Sequence, residues 1–182
     1  MTYTKNIKFN DIILIQPDIY KDDRGYFFES FKLKEFCKNV YDLNVVLEFE
    51  SKSKKNTLRG LHYQTNPNAQ SKLVNVSYGK VLDIIVDIKK DSLTFGEYIT
   101  IELSDENNTQ VFIPKGYAHG FLVLSDIAVM HYKLNDYYSP ENYTGINFFD
   151  TKLNIKLPVE FDNLEISPKD KELPFLDDAI LF

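Results

Sequence analysis

Apolar runs of four to eight residues, separated by turn chemistry, recur along the whole of this 182-residue chain. Runs that short leave little room for the long one-sided stripe of an amphipathic helix, and their regular spacing is that of an all-β sandwich or barrel. Residues 12–15 are closed by Pro17, and 26–31 follow Asp23-Arg24-Gly25. Residues 45–49 precede a polar stretch of Lys and Ser that reads as a loop. Further strands are predicted at 72–78, 80–88, 97–103, 110–113, 119–125 and 127–134. The run Val81-Leu82-Asp83-Ile84-Ile85-Val86-Asp87-Ile88 sets acids among apolar residues, and alternation suggests a wall with one wet face. One helix is predicted, over 32–40. There Leu33, Phe36, Cys37 and Val40 recur at spacings of three and four, and the helix is expected to cap one end of the barrel.

Composition narrows the function. Fourteen Phe and twelve Tyr without any Trp favour strands. The formal net charge of −6 argues against nucleic acid or an anionic membrane as the main partner, because both need a cationic face. Cys37 is the only cysteine, so no disulfide forms within the chain and a thiolate zinc site is excluded. The start of the chain is polar, and no apolar run approaches the roughly 18–20 residues of a spanning helix. A soluble, cytoplasmic protein of one domain, 1–182, is expected, with residues 153–182 as an ordered wrap.

Three histidines carry the chemical interest: His62, His119 and His131. A barrel with two of them on separate strands suggests a metal-binding site first. Such sites need a close pair of histidines and a carboxylate converging on one ion, and Gln64 stands where the second histidine of a His-x-His pair would be. No metal is expected.

The segments Asp23-Arg24-Gly25-Tyr26-Phe27-Phe28-Glu29, Leu58-Arg59-Gly60-Leu61-His62-Tyr63-Gln64, Gln70-Ser71-Lys72-Leu73-Val74, Ile113-Pro114-Lys115-Gly116-Tyr117-Ala118-His119-Gly120-Phe121, Asp136-Tyr137-Tyr138-Ser139-Pro140 and Ser167-Pro168-Lys169-Asp170 occur in this order. Together they resemble the dTDP-4-dehydrorhamnose 3,5-epimerase family. The resemblance implies a cupin jelly roll (a double-stranded β-helix) with a few short helices, no metal and no cofactor. It also implies a homodimer acting on a dTDP-linked 4-keto-6-deoxy sugar in rhamnose-like deoxysugar biosynthesis. Hydrogens beside a ketone are acidic because the charge left behind delocalises onto the keto oxygen. Inverting such a carbon needs a base, a stabiliser of the enolate and an acid on the opposite face.

By resemblance, His62 is the base, Asp170 the carboxylate paired with it, Lys72 the cation beside the keto oxygen and Tyr132 the acid. An imidazole with an ordinary pKa of about 6.5 is ready to accept a proton at neutral pH. His119 is implied as a second pocket histidine, whereas His131 matches nothing catalytic. Arg24 and Arg59 suit the diphosphate, since a guanidinium can bond two oxygens at once. Phe27 or Tyr138 would stack on the pyrimidine. Glu29, two strand positions from Phe27, would share its face and accept from the nucleoside. In the family, Arg24 and Glu29 often serve the neighbouring subunit.

The pattern breaks in places. A Gln-x-Asn of the family is replaced by Leu47 and Phe49, a glutamate before Gly145 is missing beside Tyr143 and Thr144, and a Trp-Pro pair reads Leu157-Pro158. These changes leave the proton-transfer set intact and bear on which sugar is taken and on whether one or both carbons are inverted. Two rivals stand beside epimerisation: a 3,4-ketoisomerase working through the related enediol, and a non-catalytic cupin that binds sugar nucleotides.

Overall fold

The computed structural model describes residues 1–40 and 44–182. Strands β1 (Thr2–Lys5), β2 (Ile13–Gln16), β5 (Leu47–Lys54), β7 (Lys72–Tyr78), β10 (Gln110–Ile113) and β12 (Ile127–Leu134) form one antiparallel sheet in the order β1-β2-β10-β7-β12-β5. A second sheet is ordered β13-β6-β11-β8-β9, from β6 (Thr57–Gln64), β8 (Lys80–Asp87), β9 (Tyr98–Ser104), β11 (Tyr117–Val123) and β13 (Tyr143–Gly145). β14 (Glu165–Ile166) joins β6 in parallel. β3 (Tyr20–Asp22) and β4 (Gly25–Phe27) make a separate hairpin.

The sheets meet face to face, as a jelly roll of the cupin type. Alternation delivers Val74 and Val76, Val111 and Ile113, and Ala128, Met130, Tyr132 and Leu134 from the first sheet to the shared core. Val81, Ile85, Tyr117, Phe121 and Val123 come from the second. Residues 146–182 cover the outer face of the second sheet. Ile146, Phe148, Leu153 and Leu176 are buried there against Leu58, Leu61, Ile84, Val86 and Leu122. β8 is therefore covered on both faces, which is why it reads as a nearly unbroken apolar run. The expected wet face is absent. Asp83 points between the sheets, and Asp87 accepts from the hydroxyls of Ser92 and Thr94.

Four other expectations change. The polar stretch after residue 49 is the second half of β5, paired with β12 from Leu47↔Leu134 to Lys54↔Ile127. β5 is an edge strand, where Lys and Ser on the open side are tolerated and discourage further pairing. The strand predicted over 26–31 stops at Phe27, so Phe27 and Glu29 do not share a strand face. Helix α1 (Leu33–Asn39) buries Phe36 against Ile13, Ile15, Leu73 and Phe112 on the outside of the first sheet. It caps no end, and Leu33 faces solvent. A one-turn helix α2 (Pro168–Lys171) escaped the apolar periodicity because it is short and polar.

Where β6 and β11 cross, glycines let two backbones touch. Gly60 has φ +114°, and a Cβ there would stand 2.6 Å from the Gly120 Cα. A Cβ on Gly120 would stand 2.5 Å from the Arg59 carbonyl oxygen. Both a strained φ and a backbone collision oppose any larger residue. Gly60→Ala is expected to destabilise the protein by roughly 2–5 kcal/mol, read as a lower urea midpoint at an unchanged m-value.

Candidate active site

The inner ends of β5, β6, β7, β11 and β12 surround a cavity of about 220 Å³. Its wall carries His62, Arg59, Lys72, His119, Tyr132, Tyr138 and Tyr143, with Leu47, Phe49, Phe121 and Leu134 as apolar lining. His62 on β6 lies directly across from His119 on β11 and from Gly145 on β13. Two histidines on facing positions of neighbouring strands share one side of the sheet.

His62 Nε2 is 2.7 Å from Asp170 Oδ1 across 108 residues of chain. The local sequence explains how the carboxylate arrives there. Ser167 caps α2 by accepting from the Asp170 amide at 3.1 Å, and Pro168 fills the first turn, where its missing N–H is no loss. That turn projects the Asp170 side chain at β6, where Oδ2 also accepts from the Gly60 amide at 3.4 Å. Burial pushes the Asp170 pKa up, but the hydrogen bond and charge of His62, with the bonds from Gly60 and Ser167, outweigh it and leave the carboxyl below its ordinary value. An ionised Asp170 holds the proton of a neutral His62 on Nε2. Nδ1 is left as the ring's lone pair.

Lys72, on the first residue of β7, is buried, with its ammonium donating to the His62 carbonyl at 3.4 Å. Desolvation lowers its pKa to about 8, against the opposing pull of Asp83. Tyr132 is 8% exposed, and burial holds its phenol well above the ordinary tyrosine range. Its hydroxyl donates to Met130 Sδ at 3.3 Å, and its ring stacks on Phe49 at 4.5 Å between centroids. Ser51 Oγ faces the same phenol without meeting hydrogen-bond geometry. His119 Nε2 contacts Asp83 Oδ1 at 2.7 Å, and burial lowers the imidazole's pKa despite that carboxylate.

Of the residues singled out from sequence, His62, Lys72, Arg59, His119, Tyr132 and Tyr138 line the cavity, with Asp170 directly behind His62. Arg59 Nε donates to Ser53 Oγ at 3.0 Å. Arg24, Phe27 and Glu29 are not brought there. They lie on or beside the exposed β3–β4 hairpin, where Arg24 pairs with Asp22 at 2.6 Å and Glu29 with Lys32. His131 faces outward and bonds Ser77 Oγ at 2.8 Å. Gln64 donates to the Asn68 and Tyr137 carbonyls and accepts from the Ser139 amide, which occupies its amide structurally. Among the described residues no three His, Cys, Asp or Glu side chains converge as metal ligands would.

Two side chains that contact the histidines of the site were not proposed from sequence as site residues: Tyr143 on the cavity wall and Asp83 behind it. Tyr143 sets its ring 5.2 Å from that of His62 and 5.3 Å from that of Tyr138. Asp83 lies behind His119. Its signal was present, as an acid inside an apolar run.

In class, then, this is a cupin-type jelly roll whose mouth gathers groups able to accept, hold and return a proton. A family model described as dTDP-4-dehydrorhamnose 3,5-epimerase matches residues 6–178, and the chain belongs to that family of isomerases. It is similar to the dTDP-4-dehydrorhamnose 3,5-epimerase of Escherichia coli, 44% identical over 174 residues, 95% of this chain and 94% of that one. It is also 33% identical to a dTDP-4-dehydro-6-deoxyglucose 3-epimerase of Streptomyces, over 90% of this chain and 84% of that one. A crystal structure of a Legionella pneumophila dTDP-6-deoxy-D-glucose-3,5-epimerase in complex with dTDP-4-keto-L-rhamnose is similar, with a TM-score of 0.93 and 40% identity. That match covers 98% of this chain and 94% of the other.

The dyad ties stability to pH. Because the Asp170 pKa is lowered by folding, its contribution is present above the ordinary carboxylate range and is lost as pH falls from that range through the lowered folded value. Asp170→Asn should therefore be less stable than wild type at neutral pH, with the gap closing below about pH 4, as followed by thermal melts across pH.

Proposed function

We propose that this protein epimerises carbon 3, carbon 5 or both of a dTDP-linked 4-keto-6-deoxyhexose in deoxysugar biosynthesis. The observation that carries the reading is the convergence of the His62–Asp170 pair, Lys72 and Tyr132 on one cavity. His62 Nδ1 takes the proton from the carbon beside the ketone, and the electrons of that C–H bond move onto the keto oxygen. The resulting imidazolium is stabilised by Asp170. The Lys72 ammonium, in a dry cavity, stabilises the enolate oxygen more strongly than water does. Tyr132 gives its proton to the same carbon from the other face, and the ketone re-forms as the enolate collapses. The phenoxide recovers its proton from solvent, as the imidazolium releases its own.

A cavity of about 220 Å³ suits the sugar ring rather than a whole nucleotide sugar. In this reading His119 hydrogen-bonds the sugar, Arg59 takes the diphosphate at the rim, and Tyr138 stacks on the pyrimidine. Arg24, Phe27 and Glu29 are presented on an exposed hairpin, and we assign them to the nucleotide end of a neighbouring subunit's site in a cytoplasmic homodimer of single-domain chains. The Leu47 and Phe49 wall sets how far the ring can turn, and so which carbons His62 reaches.

Incubation with dTDP-4-keto-6-deoxyglucose in heavy water tests the reading. Deuterium is expected at carbon 3, carbon 5 or both by NMR, with the ketone still on carbon 4. No label, or a ketone moved to carbon 3, would overturn it. His62→Ala should slow exchange by at least about 10³-fold, and undiminished exchange would remove His62 from the role of base.

A further inference from the structure

Behind the cavity the interior holds a carboxylate that the proton-transfer steps leave unused. Asp83 is fully buried on β8, and its Oδ1 contacts His119 Nε2 at 2.7 Å. Its Oδ2 is buried without a hydrogen-bond partner among the described residues. Lys72 is in the complementary position, a buried ammonium whose hydrogen bond among the described residues is to the His62 carbonyl. An incompletely bonded carboxylate and an incompletely bonded ammonium in one dry space are each costly alone and offset each other's charge. The titratable and charged groups around them from the surrounding strands are His62 and Arg59 on β6, His119 on β11, Tyr132 on β12 and Tyr143 on β13. Of these charged and titratable groups, Asp83 is the anion of the inner layer, since Asp170 lies behind His62 at the mouth.

We propose that Asp83 is a positioning residue of the epimerase reaction. Its fixed negative charge keeps Lys72 as an ammonium at working pH, and its Oδ1 locks the neutral His119 ring with the proton on Nε2, leaving Nδ1 as an acceptor. His119 then recognises a hydroxyl of the sugar by accepting its proton rather than by donating to the keto oxygen. The ketone is left to Lys72, so the two groups divide the sugar's polar atoms between them. The inference rests on the reading of Lys72 as the cation of the enolate, and its test separates the two.

The test is the pH profile of solvent-hydrogen exchange into dTDP-4-keto-6-deoxyglucose. In wild type the rate should fall above about pH 8, as Lys72 loses its proton. Asp83→Asn keeps the shape and removes the charge. Its kcat should drop on the order of tenfold with KM little changed, and the alkaline limb should move acid-ward by about one pH unit. Asp83→Glu should restore the limb at least in part. A limb unmoved in Asp83→Asn, or a wild-type rate flat through the alkaline range, overturns the proposal, because a purely structural loss lowers the rate without moving the limb.

Lys72→Met should lose both the rate and the limb. If it loses neither, the reading of Lys72 fails, whereas a dead Lys72→Met beside an unmoved Asp83→Asn limb removes Asp83 alone. Should Asp83→Asn not fold, long-range proton–nitrogen NMR of the wild-type protein decides. His119 is expected to carry its proton on Nε2 alone between about pH 6 and 8, and a ring protonated on Nδ1 or on both nitrogens overturns the assignment.

Discussion

The contact on which the site depends is the one between β6 and the last segment of the chain. The second sheet has an apolar outer face that two-layer packing leaves uncovered, and residues 146–182 bury it with Ile146, Phe148, Leu153 and Leu176. That wrap lays α2 against β6 on its way, so the burial that completes the core also places a carboxylate 2.7 Å from His62. The close approach of β6 and β11 at Gly60 and Gly120 has a parallel effect, since it puts His62 and His119 side by side on one wall.

The two histidines are each held by a carboxylate at the same 2.7 Å, yet they sit in different media. At the mouth the His62 and Asp170 side chains are 24% and 9% exposed, whereas deeper in His119 and Asp83 are 4% and 0%. A base that must trade its proton with solvent needs the first setting. A group that must keep one protonation state is better served by the second, where burial resists a new charge. The two pairs thus grade the site from partly exposed to fully buried.

Much of the architecture was legible because the strands of the shared core obey a period of two, as Ala128, Met130, Tyr132 and Leu134 do along β12. It failed where burial does not set the pattern. β5 is a polar edge strand whose partner lies some eighty residues away, and α2 is held by a serine cap and a proline rather than by an apolar stripe. His62, Lys72 and Asp170 were legible only as members of an ordered set of segments, and Tyr132 only through the family those segments resemble. Nothing local to Lys169-Asp170-Lys171 distinguishes a dyad carboxylate from a surface charge. Asp83 was visible as an anomaly in β8 but not as the partner of His119, because a contact between side chains of adjacent strands is a property of register. Tyr143 was visible only as a departure from the family's pattern.

The placement of α2 has a consequence for biosynthesis. Among the described residues the last strand ends at Ile166, so both sheets can pair before Asp170 leaves the ribosome. A chain stopped there would carry Lys72, Tyr132, His62 and His119 on its strands, but His62 would lack the carboxylate that stands 2.7 Å from it in the full chain. The strands would thus be complete before the His62–Asp170 pair can form.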